Sequence, residues 1–590
     1  MSRLVSLLLF LVTVPAFALP TFANDLTVGW ISREPEIPFV WASTNPRVEG
    51  WPAAGAEVTW RAHVRSFFGE AKSVEYVWRY DGVEVRRGTA TLAANAVTTI
   101  DLPRAWTFER HKLSLAIDTA NAVVEESEKN NERVVITDAL AIGFWVEQSF
   151  YDHFRKWQSR LGVGSTSFED WAQRNVDFYN DMAALAIYPE TPNGVLDRFR
   201  LQKIVVVADG ALPLHGLPDD ASPGASGSTH PDKDDRSVDL MWGFRKDALS
   251  TYQDVTTADP TNPFYVSGAV FHELGHARYL VDVYAWNVRH SPPSFVIDIR
   301  EDGQSIVGPY VGTAYAWRTL EQGLMNDRLT FIDRYSAIAM NFIAGQRATH
   351  GNYNEPRNFA SFLNDLPAEN RITIRDENGA LMTNASVKLY RSVANGKDFW
   401  YQTRYDDTPD VELTTDANGQ VLVGRSPFAA DGNVVQTFGF TNCVVIVRVE
   451  KSGKVAYGFL ESRLFNLEYW RGNTRLADHD LTVGLFPCTS FVPTLTSPKW
   501  DATVAGPVTL TWQGITGADE YRVYASTNLG APQRIATTTG FSAQAEFKGN
   551  VYWWVEAQTT NCGPRRSDVG RFDTPAPPPP TSGKRRATRS

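Results

Sequence analysis

The sequence predicts a multidomain chain in which a central α+β domain is flanked by β-sandwich modules. Apolar and polar residues alternate with a period of two over 25–137, again over 370–486, and again over 490–574. Apolar residues at helical spacing are concentrated in the middle, and 590 residues suggest about four domains.

The elements follow in chain order. Arg3 precedes an apolar run from Leu4 to Val14, and small residues offer cleavage after Ala23 or Ala18, so residues 1–23 read as a secretory signal peptide. No later stretch approaches 18 consecutive apolar residues, so the expectation is a secreted chain, extracellular or periplasmic, without a membrane span. Within 25–138, the runs Val58–Val64 and Val74–Tyr80 alternate, and Asp81-Gly82 supplies the turn of a hairpin. Within 140–362, Ser167 is placed to cap a helix carrying Phe168, Trp171, Phe178 and Met182 on one face. Arg198–Ala208 then reads as a strand, and Asp239–Trp242 as another. Residues 370–486 return to alternation, with Asn378-Gly379 and Asn418-Gly419 as turns. The segment 488–574 holds three strong strands, and 575–590 is a Pro-rich tail with a basic end, expected to be disordered.

Composition excludes several classes. Hydrophobic residues at 43% and aromatic residues at 12% supply several cores. A net charge of −10 without a Lys/Arg run argues against nucleic-acid binding. Three cysteines are too few for a disulfide scaffold or a cysteine-based metal site. An oxidising compartment permits a disulfide between Cys488 and Cys562, leaving Cys443 as a core thiol; pairing of Cys443 with Cys488 stays open.

Two modules resemble known families. The acidic, Asn-rich hairpin Asp118–Asn131 resembles the closing hairpin of CARDB modules, which are immunoglobulin-like adhesion domains. Val508–Trp512, Tyr521–Tyr524 and Val551–Val555 resemble strands B, C and F of a fibronectin type III module. The order of elements in 370–486 resembles the small sandwiches appended to secreted peptidases and adhesins.

The chemistry concentrates in Phe271-His272-Glu273-Leu274-Gly275-His276. Residues four apart share a helix face, so His272 and His276 can aim imidazole nitrogens at one ion, expected to be Zn2+. Glu273 stands beside them to take a proton from water that zinc acidifies. About 0.01 such matches are expected by chance in a chain of this composition. The helix is expected from about Pro263 or Phe264 through Tyr279, with Val266, Val270, Leu274 and Ala277 as its buried stripe.

The motif resembles the HExxH zinc metallopeptidases. In the metzincin pattern a third ligand lies six residues after the second histidine, which implies Asp282 here, although Tyr279 stands where that pattern has glycine. Glu321, as in the gluzincin class, and His290 are rival third ligands. Gly323-Leu324-Met325-Asn326-Asp327 resembles the methionine turn beneath a metzincin zinc, followed by a helix ending at Gly345. Tyr335 or Tyr279 is a possible oxyanion stabiliser. His215 and His230 lie in the loop upstream of the motif.

The expected function is a secreted zinc endopeptidase with Glu273 as general base, acting on protein or peptide substrates. Its modules would meet extracellular or cell-surface ligands. The alternatives are an exported, non-enzymatic adhesion protein with a structural or vestigial metal site, and a zinc amidase acting on cell-wall substrates.

Overall fold

A computed structural model describes residues 24–40, 48–152, 167–214, 227–247, 268–278, 280–286, 322–327, 330–347, 361–391, 408–429, 443–484, 492–559 and 564–575, with shorter pieces at 45, 165, 288–319 and 403–405. The proposed signal peptide and the tail beyond 575 lie outside the described residues.

The first module is a two-sheet sandwich. Strands β1 (Leu26–Glu34), β2 (Glu57–Ser66) and β5 (Val97–Ala105) form one sheet in the order β1-β2-β5. The other sheet is β4-β3-β6-β7, from β3 (Lys72–Tyr80), β4 (Val83–Leu92), β6 (Lys112–Ile117) and β7 (Glu132–Ile136). Alternation in β2 sends Val58, Trp60, Ala62 and Val64 into the core while their neighbours stay partly exposed. At the hairpin Asp81 has φ 51° and Gly82 φ 79°, the left-handed pair that the two-residue turn requires.

The central part opens with β8 (Leu140–Glu147), which lies between β9 (Phe199–Val207) and β10 (Leu240–Phe244). All three strands are parallel, and every residue of β8 is buried. Helices mixed with a few strands are expected here, and these three strands form a small parallel sheet. A parallel pair needs a crossover, and α1 (Phe168–Leu185) supplies it between β8 and β9. Ser167 caps α1 by accepting from the Asp170 N–H at 3.2 Å. Then come α2 (Gly268–His276), the single turn α3 (Leu324–Asp327) and α4 (Arg334–Phe342). Phe271 of α2 stacks on Tyr179 of α1, ring centroids 5.3 Å apart.

The third sandwich pairs sheet β14-β11-β17 with sheet β13-β12-β15-β16. Its strands are β11 (Glu369–Arg375), β12 (Ser386–Arg391), β13 (Val411–Thr414), β14 (Gln420–Leu422), β15 (Val444–Lys451), β16 (Lys454–Glu461) and β17 (Leu476–Thr482), with α5 (Ser462–Trp470) before the last. The fourth module has sheets β18-β19-β22 and β24-β23-β20-β21. These comprise β18 (Thr494–Ser497), β19 (Val508–Gln513), β20 (Glu520–Thr527), β21 (Gln533–Thr538), β22 (Ser542–Ala545), β23 (Asn550–Gln558) and β24 (Gly570–Asp573). No helix among the described residues is long and apolar enough to cross a membrane.

The first and fourth modules have cores of their own, but the central part and the third sandwich share one continuous apolar cluster. Residues 370–486 are therefore not an independently cored appendage. Asn466 of α5 bonds across this seam: its Nδ2 reaches Asp365 O at 2.8 Å and Leu363 O at 3.1 Å, and its Oδ1 accepts from Tyr335 at 3.0 Å. Buried Cys443 sits in the same core, where burial pushes its thiol up to about 12. We predict that Asn466→Ala, which strands buried partners, costs ~2–3 kcal/mol. The loss should appear in one calorimetric transition covering both parts; two separate transitions for residues 140–366 and 367–484 would contradict a shared core.

Candidate metal centre

Helix α2 forms because Val270, Phe271 and Leu274 recur at helical spacing and are almost wholly buried. That orientation places His272 in a buried position and leaves Glu273 and His276 half-buried, with Glu273 near enough for its charge to act on His276. The helix stops at His276, three residues short of the expected end at Tyr279. The Arg278 and Leu280 N–H groups both turn back to Gly275 O, at 2.8 and 3.1 Å. Had the helix run on, Asp282 would lie roughly 120° away from the histidine face. The early turn brings it back instead.

The three side chains converge. Asp282 Oδ1 lies 2.8 Å from His272 Nε2 and 3.2 Å from His276 Nε2. Each imidazole commits Nδ1 to a backbone carbonyl: His272 to Leu324 O at 2.9 Å, His276 to Leu280 O at 2.8 Å. A carbonyl only accepts, so Nδ1 carries the hydrogen in both rings, and in a neutral imidazole Nε2 then presents a lone pair. Both lone pairs face a carboxylate oxygen that is itself buried and has no donor aimed at it. Three acceptors, all within 4.8 Å of one another, repel unless a cation lies among them. Protons on the imidazoles meet this need at low pH; a divalent metal meets it at neutral pH.

Two imidazole nitrogens and one carboxylate oxygen are a donor set that suits zinc with one position open. Ligand atoms ~2.0–2.1 Å from a tetrahedral zinc stand about 3.3 Å apart. The 3.2 Å separation is close to that value, and the 2.8 Å separation is tighter. The residues present fit the ion. The carbonyls of Leu324 and Leu280 fix ring orientation and tautomer, as outer partners of metal-bound histidines do.

Burial pushes the Asp282 carboxyl up, yet the two imidazoles outweigh burial and hold it at about 2. Burial likewise pulls His276 down, but Asp282 and then Glu273 raise it above its ordinary 6.5.

Met325 is fully buried against α2, where a Cβ on Gly275 would stand 2.9 Å from its sulfur. The segment bearing it forms the short turn α3, and Gly323 precedes it with φ 149°. Tyr335 does not join the site. Its hydroxyl is donated to Asn466 and its ring stacks on Trp470, so its expected role as oxyanion stabiliser is withdrawn. Its helical spacing placed it on the buried face of α4, and only the third sandwich claims its hydroxyl. Tyr284, which the sequence reading passed over, instead stacks on His272 with centroids 5.9 Å apart. His230 is exposed, its ring beside Thr229. Glu321, His290, Tyr279, His215, Cys488 and Cys562 lie outside the described residues.

Arg278 was also not foreseen. It is fully buried, pairs with Asp197, and donates to Ile343 O and Gln346 O, both at 3.0 Å. Asp197 in turn accepts from the Gly345 N–H at 2.7 Å. The residue just past the histidine helix thus clamps the end of α4, holding the turn that delivers Asp282. No sequence pattern marks a lone arginine for this task.

No protein-family model matches the chain, and no curated protein matches it. Among solved structures, the chain is similar to the CARDB domain of a Pyrococcus furiosus protein in complex with di-metal ions. Identity is 18%, covering 20% of this chain and 94% of that one, with a TM-score of 0.16. A putative cell surface protein domain from Methanosarcina acetivorans is 22% identical over 19% of this chain and 90% of that one, TM-score 0.14. The structure named FN3tt is 20% identical over 14% and 96%, TM-score 0.12. The chain is multidomain, with two-sheet β-sandwiches on either side of the central part.

Two outcomes test the geometry. Arg278→Ala leaves Asp197 buried without its cation and should cost about 3–5 kcal/mol, lowering both melting temperature and metal content. In chelator-treated protein, the depressed Asp282 stabilises above its unfolded value of 3.8 and that contribution is lost as pH falls toward 2. The raised His276 stabilises below 6.5 and is lost as pH rises through its folded value. Metal-free protein should therefore melt highest between about pH 4 and 6.5, and zinc should move the optimum upward. A flat pH profile without metal would contradict the contact.

Proposed function

We propose that the chain is a secreted zinc endopeptidase whose ion is held by His272, His276 and Asp282. The observation that carries this reading is the convergence of three acceptors, two buried and one half-buried, on one point, with Glu273 next to His272 in the chain. A bound zinc supplies a Lewis acid that lowers the pKa of coordinated water to about 7. The chain's own residues supply the rest. The Leu324 and Leu280 carbonyls hold both imidazoles in one tautomer, so their Nε2 atoms stay directed at the ion. Asp282 brings a negative charge that a purely histidine-based set lacks. Glu273, half-buried and next to His272, takes the proton from the attacking water and returns it to the leaving amine. Its carboxylate is not one of the three converging groups, so it is left for proton transfer.

Export is supported by the N-terminal Arg3 and the Leu4–Val14 run. The flanking sandwiches fit contact with extracellular ligands, and this observation favours adhesion as the second reading. Glu273 weighs against it, because a structural ion needs no general base.

Zinc-loaded protein should cleave denatured casein, and a chelator should abolish the cleavage. Glu273→Gln should keep zinc yet lower the rate by ~10²–10⁴. Zinc-loaded protein that leaves casein intact, with Glu273→Gln indistinguishable from it, would sink the enzyme reading and leave adhesion.

A further inference from the structure

A cavity of about 360 Å³ opens where the first module, α1 and the fourth module meet. Lys129 of the first module, Arg174, Asp177 and Asp181 of α1, and Trp500 and Arg571 of the fourth module line it. None of these residues belongs to the metal centre. The volume falls within the usual range of small-molecule sites, roughly 300–1,000 Å³.

Most of the charges here are already matched. Arg133 and Arg174 pair with Asp170, Arg571 pairs with Asp501, and Asp181 accepts from the Tyr552 hydroxyl. A ligand with a net charge would have to break such a pair to gain a partner. Two groups are left over. Among the described residues, Asp177 accepts one hydrogen bond, from Gln173 Nε2 at 2.8 Å, and neither Asp177 nor the exposed Lys129 forms an ion pair. Burial pushes the Asp177 carboxyl up, toward the acid form. A ligand hydroxyl serves both forms, donating to the carboxylate or accepting from the acid, whereas an ammonium serves only the first. Trp500 adds an apolar surface: it is half-buried, and its indole is set at 72° to Phe178 with ring centroids 4.9 Å apart.

We propose that this cavity is a binding site for a neutral saccharide, with Asp177 and Lys129 hydrogen-bonding its hydroxyls and Trp500 meeting the C–H face of a ring. A sugar ring carries hydroxyls around an apolar face, and this lining offers a counterpart to each. The ligand would touch the first module, α1 and the fourth module together, so it would stabilise their arrangement by mass action. The proposal does not depend on the zinc reading.

The test uses the full, zinc-loaded chain, titrated by calorimetry with maltose, cellobiose and N,N′-diacetylchitobiose. At least one should bind once per chain, with a dissociation constant on the order of 1 mM, and raise the melting temperature. Asp177→Leu, which fills the same space without a polar atom, should weaken that sugar at least ~10-fold and erase the rise. If this variant fails to fold, Lys129→Ala, at an exposed position with no ion pair to lose, should weaken the sugar about 3-fold or more. At constant ionic strength, inorganic phosphate, putrescine and glycylglycine should not displace it; displacement by any of them would show a site for a charged ligand and overturn the proposal. His272→Ala should bind the sugar as the parent does. Binding lost in His272→Ala but kept in Asp177→Leu would put the sugar at the metal centre and refute the cavity. No binding of the three sugars at ~10 mM, or equal binding by parent and both cavity variants, would refute it too.

Discussion

Three electron-pair donors in a nearly dry place are the constraint on which the centre of this molecule is built. His272 and His276 reach the point because a helix repeats its face every four residues. Asp282 reaches it because the helix ends at His276 and the chain doubles back through Gly275 O. The two imidazoles are then locked by carbonyls that follow the motif in the chain, one from the turn at Leu324 and one from Leu280. Such an arrangement is unfavourable by itself. Buried acceptors facing one another gain nothing until a positive charge joins them, and that deficit is the physical content of the metal proposal.

Support for this point comes from well outside the motif. Arg278 ties the turn to the end of α4 and to Asp197, just ahead of β9. Met325 packs beneath Gly275, at a distance that leaves no room for a methyl group. Around them, one apolar cluster extends through the third sandwich, so the helices bearing the site lean on strands more than a hundred residues later. A charge-bearing centre held this way moves little, which is what directed imidazoles require.

The fourth module keeps a core of its own, yet Tyr552, Trp554 and Val569 also join the apolar cluster of the middle, and polar contacts add to them. Tyr552 donates to Asp181, Thr330 donates to Asp568 at 2.7 Å, and the Arg566 guanidinium lies over Phe331 and Trp554 at 4.0 and 4.1 Å. Burial raises the Asp181 carboxyl to about 7, well above the usual carboxylate range, even though the Tyr552 hydroxyl donates to it. The first module joins through Arg347, which pairs with Asp239 and donates to Ile37 O and to Gly50 O. Each outer sandwich thus has its own core and also lends residues, Trp30 from the first and Tyr552, Trp554 and Val569 from the fourth, to the cluster of the fused middle.

Local chemistry was readable from the residues alone. Period-two alternation marked the strands of β2 and β19, Asp81-Gly82 marked its turn, Ser167 its helix cap, and the four-residue spacing of His272 and His276 a shared face. Each is decided by neighbours within a few positions, so no distant contact is needed to express it. Other matters rested on groups far apart in the chain. Where α2 ends depends on Arg278 finding Asp197; Tyr335 loses its chance of a catalytic role to Asn466, which lies 131 residues away. The fusion of the middle with the third sandwich followed the same rule, because alternation says which face is apolar and not what covers it. Long-range packing assigned those partners, and with them the position of Asp282.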